Sequence, residues 1–174
     1  PSLRTRLSTQ KAAKNLGLDV MVMNFSNEAW AIEYENETIM SGLRSEHVKE
    51  AAQVVSQYCD FIAIRAFASL TDQKRDEEEV VLRKFAAFAS VPIINMESAT
   101  AHPLQALADG LTIDEQLTIK QPKIVLSWAP HPKALPHAVA NSFIGLMNHT
   151  KADFVITHPE GYDLNPAIVG NHKV

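Results

Sequence analysis

Short apolar runs alternate with helix-length stretches along this chain, and that alternation restricts the fold more than any other feature. Runs at 19–24, 29–34, 60–66, 91–96, 123–128 and 153–157 read as strands. Stretches at 5–16, 45–58, 72–89, 102–117 and 135–147 read as helices, and 35–44 as a polar loop. Strands joined through helices of this length pair in parallel through right-handed βαβ crossovers. The expected class is therefore α/β, a parallel sheet with helices on both faces. Gly17 is placed to end the first helix, and Ser45 or an immediate neighbour to cap the second. After Lys120-Gln121-Pro122 the pattern restarts, so 1–120 is expected to form one unit and 121–174 the beginning of another.

Composition narrows the class of partner. With 46% hydrophobic and 21% charged residues in 174, the chain reads as a soluble globular protein with a sizeable core. A formal net charge of -4 gives no general attraction to nucleic acid or to an acidic membrane, and neither is expected as a partner. Cys59 is the only cysteine, so no intrachain disulfide or cysteine-rich zinc site can form, which fits a cytoplasmic location. No apolar run reaches the ~18–20 residues that span a bilayer. Both ends read as cut: Pro1 is not an initiator methionine, and Asn171-His172-Lys173-Val174 stops as a new element starts.

Anion-binding capacity must then come from local placement. Ser2, Arg4 and Thr5 fall in the first turn of the first helix, where unpaired N–H groups and the positive end of the dipole favour phosphate. Alone, that hexapeptide is equally a capped helix with a solvated basic face. In open parallel sheets, however, ligands collect at the carboxyl ends of strands. Arg65 interrupts an apolar run near such an end, and His102 follows the run at 91–96. His47, His137, His149, His158 and His172 have no metal-ligand spacing, so no metal and no cofactor are expected. The glycines form neither a dinucleotide fingerprint nor a P-loop. The acidic run 76–79 reads as an exposed helix face.

Taken in order, Ser2-Leu3-Arg4-Thr5-Arg6, then Arg65, then His102-Pro103-Leu104-Gln105 resemble the transcarbamylase (aspartate/ornithine carbamoyltransferase) family. Ala108-Asp109 agrees with it. Trp128, His131-Pro132-Lys133 and the Ala-Val-Ala-Asn-Ser run at 138–142 resemble the start of that family's second domain, in the branch acting on N-acylated ornithine. The resemblance implies a carbamoyl phosphate-binding domain over 1–120, with an interdomain helix, and the beginning of an amino-substrate domain over 121–174. It implies carbamoyl transfer from carbamoyl phosphate to the δ-amine of an N-acylornithine, a step of arginine biosynthesis that requires neither metal nor nucleophilic side chain.

Roles follow from the same resemblance. Ser2, Arg4, Thr5 and the backbone N–H of Leu3 would hold the phosphate. Thr5, Arg65 and His102 would converge on the carbonyl oxygen, and Gln105 would bond the carbamoyl amide. Many members carry Thr where this chain has Leu3, which keeps the N–H and loses a hydroxyl. No Ser/Lys loop lies between Asn24 and Met40. Trp30, otherwise an ordinary aromatic, resembles the tryptophan that this branch sends into a neighbouring subunit's phosphate site, which implies a homotrimer. Glu97 resembles the carboxylate near the amino substrate's α-substituent. His131 could contact that substrate or simply close a His-Pro turn. Ser45 stands where a Glu would repel a succinyl carboxylate, so N-succinylornithine is expected ahead of N-acetylornithine, with Arg44 either adding attraction or merely solvated. Ornithine carbamoyltransferase and a non-catalytic carbamoyl phosphate-binding fragment are the alternatives.

Overall fold

The computed structural model describes residues 3–25, 28, 30–36, 38–40 and 42–174. The chain divides into two compact units, 1–47 and 48–174. Among the described residues the strands form three two-stranded pairs, all parallel, with helices between most of them. The α/β class expected from the alternation is the class observed.

In the first unit, helix α1 runs Leu3–Asn15. Its end is a Schellman motif: Leu18 N–H donates to Ala13 O at 2.9 Å and Gly17 N–H to Lys14 O at 3.2 Å. Gly17 sits at φ +73°, a conformation that costs a side-chain-bearing residue dearly, which is why glycine serves there. The strand expected at 19–24 does not form. A strand exists only where a neighbour takes its backbone groups, and this stretch pairs with none of the described strands, leaving Val20, Met21, Val22 and Met23 41–68% exposed. Extended pairing comes later, between β1 (Ile32–Glu33) and β2 (Glu46–His47). Because β1 claims the backbone of Glu46 and His47, the second helix cannot begin at Ser45. That helix, α2, spans Val48–Val55 in the second unit.

In the second unit β3 (Ile62–Arg65) pairs with β4 (Ile93–Glu97). The register runs Ile62↔Ile93, Ala63↔Ile94 and Ile64↔Asn95, then skips Met96 so that Arg65 pairs with Glu97. Between these strands lie two helices where one was expected. Helix α3 (Gln73–Glu77) is capped by Asp72, whose carboxylate accepts from Arg75 N–H at 3.1 Å. Helix α4 (Val80–Phe88) starts afresh because Glu79 adopts φ +48°. Helix α5 (Pro103–Gln116) opens with Pro at its first position, where no N–H is needed.

Beyond it, β5 (Lys123–Ser127) and β6 (Asp153–Thr157) pair without a break over five residues, and helix α6 (Ala138–Met147) connects them. The start of α6 is later than the expected 135, since Pro136 disfavours helical backbone at Leu135. Ile144, Met147, Phe154, Ile156 and Leu164 form the core, with Ile124, Leu126 and Trp128 packed against it. Helices α5 and α6 approach closely at Gly110, where an added Cβ would stand 3.2 Å from the Leu146 side chain. A short helix α7 (Pro166–Val169) is capped by Asn165, and the tail bridges back from Lys173 to Val155. No helix among the described residues is long and apolar enough to cross a membrane.

Candidate active site

The carboxyl ends of β3 and β4 carry a polar cluster of Arg65, Glu97 and His102. Glu97 Oε2 accepts a hydrogen bond from Arg65 Nη2 and lies 3.4 Å from His102 Nε2. The skipped Met96 produces this meeting: an unbroken register would set Arg65 against Met96 and turn Glu97 to the opposite face. The three side chains keep 20% (Arg65), 12% (Glu97) and 16% (His102) of their exposure. In that partly water-excluded setting, charge interactions are stronger than at the open surface. The Arg65 guanidinium also lies over the Phe67 ring, 4.6 Å from its centre.

His102 is held by its backbone. Its N–H donates to Ser142 Oγ at 2.7 Å, and its carbonyl accepts from Gln105 N–H and Ala106 N–H as α5 begins. Its ring Nδ1 is buried and makes no hydrogen bond with the described residues. The residues leading to it are fastened too. Ser98 N–H donates to Ala101 O at 2.7 Å, Asn95 Nδ2 to Ser98 Oγ at 2.9 Å, and Asn141 Nδ2 to Thr100 O at 3.0 Å. Glu79 Oε1 accepts from Thr100 N–H at 2.9 Å and from Thr100 Oγ1 at 2.6 Å. Burial pushes the Glu79 carboxyl up. The hydroxyls of Ser98 and Thr100, the Thr100 N–H and the Arg83 charge outweigh that and hold it below its ordinary value.

The acidic run is thus not a uniformly solvated face. Asp76 binds the N–H groups of Ser69 and Leu70 at 2.8 and 2.9 Å, and Glu79 reaches the His102 segment. Sequence reasoning missed Glu79, Thr100 and their neighbours; a non-glycine break inside a helical stretch leaves no compositional mark. Gln105, on the first turn of α5, is exposed and donates to Asp109 at 2.8 Å. His131 is exposed, and its Nδ1 lies 3.1 Å from Lys133 N and 3.0 Å from Lys133 O, closing a local turn. At the ends of β5 and β6, Trp128 stacks on His158 with ring centres 4.9 Å apart.

In the first unit, Leu3, Arg4 and Thr5 form the first turn of α1, with Leu3 and Arg4 exposed and Thr5 half-buried. That turn holds no acidic residue to offset the positive end of the helix dipole. Ser2 lies outside the described residues. Trp30 is 59% exposed and its indole N–H donates to Glu46 Oε2 at 2.6 Å. Ser45 is exposed. Its neighbour Arg44 is committed to Glu33 at 2.6 Å, so its charge is already countered within the unit. The N–H of Glu35 above all, then those of Tyr34 and the Arg44 cation, hold the Glu33 carboxyl below its ordinary value against the opposing effect of burial. Among the described residues no group of three or more His, Cys, Asp or Glu side chains could hold a metal ion.

Similarity to known proteins places this geometry. Residues 1–115 match the family described as aspartate/ornithine carbamoyltransferase, carbamoyl-P binding domain. N-succinylornithine carbamoyltransferase of Bacteroides thetaiotaomicron is 53% identical over 173 residues, covering 99% of this chain and 54% of that protein. N-acetylornithine carbamoyltransferase of Xanthomonas campestris pv. campestris is 40% identical over 162 residues, covering 91% of this chain and 48% of that protein. A solved structure superposes with a TM-score of 0.90 at 39% identity, covering 97% of this chain and 52% of the other. It is a Glu-to-Ser mutant of N-acetyl-L-ornithine transcarbamylase complexed with carbamyl phosphate and N-succinyl-L-norvaline. The chain spans about half the length of the curated relatives it matches. It belongs to the aspartate/ornithine carbamoyltransferase family, on the side of the N-acylornithine enzymes.

Proposed function

We propose that the protein containing this chain transfers the carbamoyl group of carbamoyl phosphate to the δ-amine of an N-acylornithine, with N-succinylornithine preferred, as a cytoplasmic step of arginine biosynthesis. The observation that carries the reading is the meeting of Arg65, Glu97 and His102 at the carboxyl ends of paired parallel strands. The amine attacks the carbonyl carbon, the carbonyl oxygen takes up negative charge in a tetrahedral intermediate, and phosphate leaves as that oxygen's double bond reforms. Such a reaction gains most from positioned donors and fixed charges.

Arg65 and His102 supply donors of that kind, with Thr5 sharing the same oxygen. Ser2, Arg4, Thr5 and the N–H groups from Leu3 onward take the phosphate, and Gln105 the carbamoyl amide. Glu97 engages both Arg65 and His102; in the proposed reaction its carboxylate faces the amino substrate, to which His131 also contributes. Residues 1–120 form the carbamoyl phosphate domain, and 121–174 begin the amino-substrate domain. The active assembly is a homotrimer in which Trp30 completes a neighbouring subunit's phosphate site. The 59% exposure of Trp30 supports that role.

Two observations favour succinyl over acetyl. The relative at 53% identity is a succinylornithine enzyme. A Glu-to-Ser change in an acetylornithine enzyme accompanies bound N-succinyl-L-norvaline, the same exchange of residue types argued for Ser45. The test is formation of citrulline or the matching N-acylcitrulline by the full-length protein with ornithine, N-acetylornithine and N-succinylornithine at equal carbamoyl phosphate. The reading expects the highest kcat/KM with the succinyl substrate. Turnover of plain ornithine alone would overturn the branch, and no turnover of any of the three would overturn the activity.

A further inference from the structure

Glu79 stands in the left-handed region at φ +48°, which L side chains other than Asn and Asp seldom adopt. It is the N-cap of α4: its carbonyl accepts from Arg83 N–H at 3.0 Å. Yet its side chain makes no capping bond to its own helix, the task that normally selects an N-cap residue. The carboxylate is spent instead on Thr100, 21 residues away, through both the N–H and the hydroxyl.

Thr100 lies two residues before His102. Its carbonyl is taken on the other side by Asn141 Nδ2, and the His102 N–H by Ser142 Oγ, both from α6. The segment carrying the imidazole is therefore tied between the start of α4 and the body of α6. Part-buried hydrogen bonds that grip a segment from two sides hold one backbone geometry against its alternatives, although Asn141 Oδ1 makes no hydrogen bond with the described residues.

We propose that Glu79 is a positioning residue for the transfer reaction: by holding Thr100 it fixes the His102 imidazole in its orientation toward Glu97 and the reacting carbonyl oxygen. This rests on His102 being an oxyanion donor, as in the proposed function. A donor displaced by about 1 Å loses on the order of 10²-fold in rate, so Glu79→Ala should lower kcat by roughly 10–100-fold. Carbamoyl phosphate affinity, set by the first turn of α1, should stay within about threefold. Glu79→Gln keeps an acceptor oxygen of the same reach and should restore most of kcat.

The experiment uses the full-length protein, with Glu78→Gln in the same run as the control. It reads kcat, calorimetric carbamoyl phosphate affinity, and the ring ¹⁵N resonances of His102. A shifted His102 ring signal in Glu79→Ala, returned toward wild type in Glu79→Gln, supports the inference even if the native substrate proves to be another amine. An unchanged His102 signal in a folded Glu79→Ala protein overturns it. So does a loss of carbamoyl phosphate affinity equal to the loss of kcat, or a Glu79→Gln variant as impaired as Glu79→Ala. Should Glu79→Ala fail to fold, Thr100→Val, which deletes only the hydroxyl donor, must reproduce the ring shift in part; an unchanged ring signal there overturns the inference.

Discussion

Replacing Arg65 by alanine removes a cation from a carboxylate whose side chain keeps only 12% of its exposure. Two effects follow and can be separated. Stripping one partner from a fully buried pair costs roughly 3–5 kcal/mol, whereas an exposed pair contributes about 0–1 kcal/mol. With Arg65 at 20% and Glu97 at 12%, the cost in stability falls between these, about 2 kcal/mol. It should register as a fall in Tm of a few degrees. If Arg65 has the proposed role, loss of an aimed donor to the carbonyl oxygen should lower kcat by a further, independent 10²–10³-fold, about 2.7–4 kcal/mol. Arg65→Ala/Glu97→Ala deletes the stranded carboxylate as well, so Tm should recover most of its loss while kcat stays low. Differential scanning fluorimetry and the citrulline assay on the full-length protein report the two quantities. If kcat climbs back together with Tm in the double variant, Arg65 serves the fold and not the reacting oxygen. The same conclusion holds if Arg65→Ala alone keeps kcat within threefold.

Three further outcomes are expected. Ser45→Glu should cut kcat/KM for N-succinylornithine at least tenfold relative to N-acetylornithine, by like-charge repulsion; an unchanged ratio in the competition assay removes Ser45 from the acyl pocket. Mixing inactive Trp30→Ala and Arg4→Ala subunits should restore part of the activity through hybrid sites, and no recovery after verified subunit exchange would falsify donation of Trp30 between subunits. The lowered Glu33 carboxyl contributes stability above the ordinary carboxylate range, and that contribution is lost as pH falls through its folded value. The stability gap between wild type and Glu33→Gln should therefore close on acidification, and a gap independent of pH in denaturant melts refutes the assignment.

What the sequence made legible follows the range of the interactions concerned. Strand β6 lies at the expected 153–157, and α1 stops before Gly17 as its cap requires, because apolar runs and C-terminal glycine act locally. Residues 19–24 have the same apolar signature and no strand, since pairing belongs to the neighbour and not to the run. The break in the 72–89 stretch arises from Glu79 and Thr100, partners far apart in the chain, against which helix propensity is weak. Arg65 and His102 were visible as polar interruptions at strand ends. The clamp of Thr100 between Glu79 and Asn141 was not, because no spacing rule links three residues on separate elements.

The skipped residue in β4 sets unequal terms for change along that strand. Pairing from Ile62↔Ile93 to Ile64↔Asn95 is regular, so exchanges among its apolar side chains are absorbed locally, whereas Asn95 is tied to Ser98. Lengthening the strand is not absorbed: one residue added between Ile93 and Met96, with the skip kept, sets Met96 against Arg65 and turns Glu97 to the opposite side, whereas removing one only evens the ladder and leaves Glu97 paired with Arg65. The apolar part of the segment is thus permissive to substitution, and the strand is intolerant of insertion. Lineages that vary here are expected to exchange apolar letters without gaining residues.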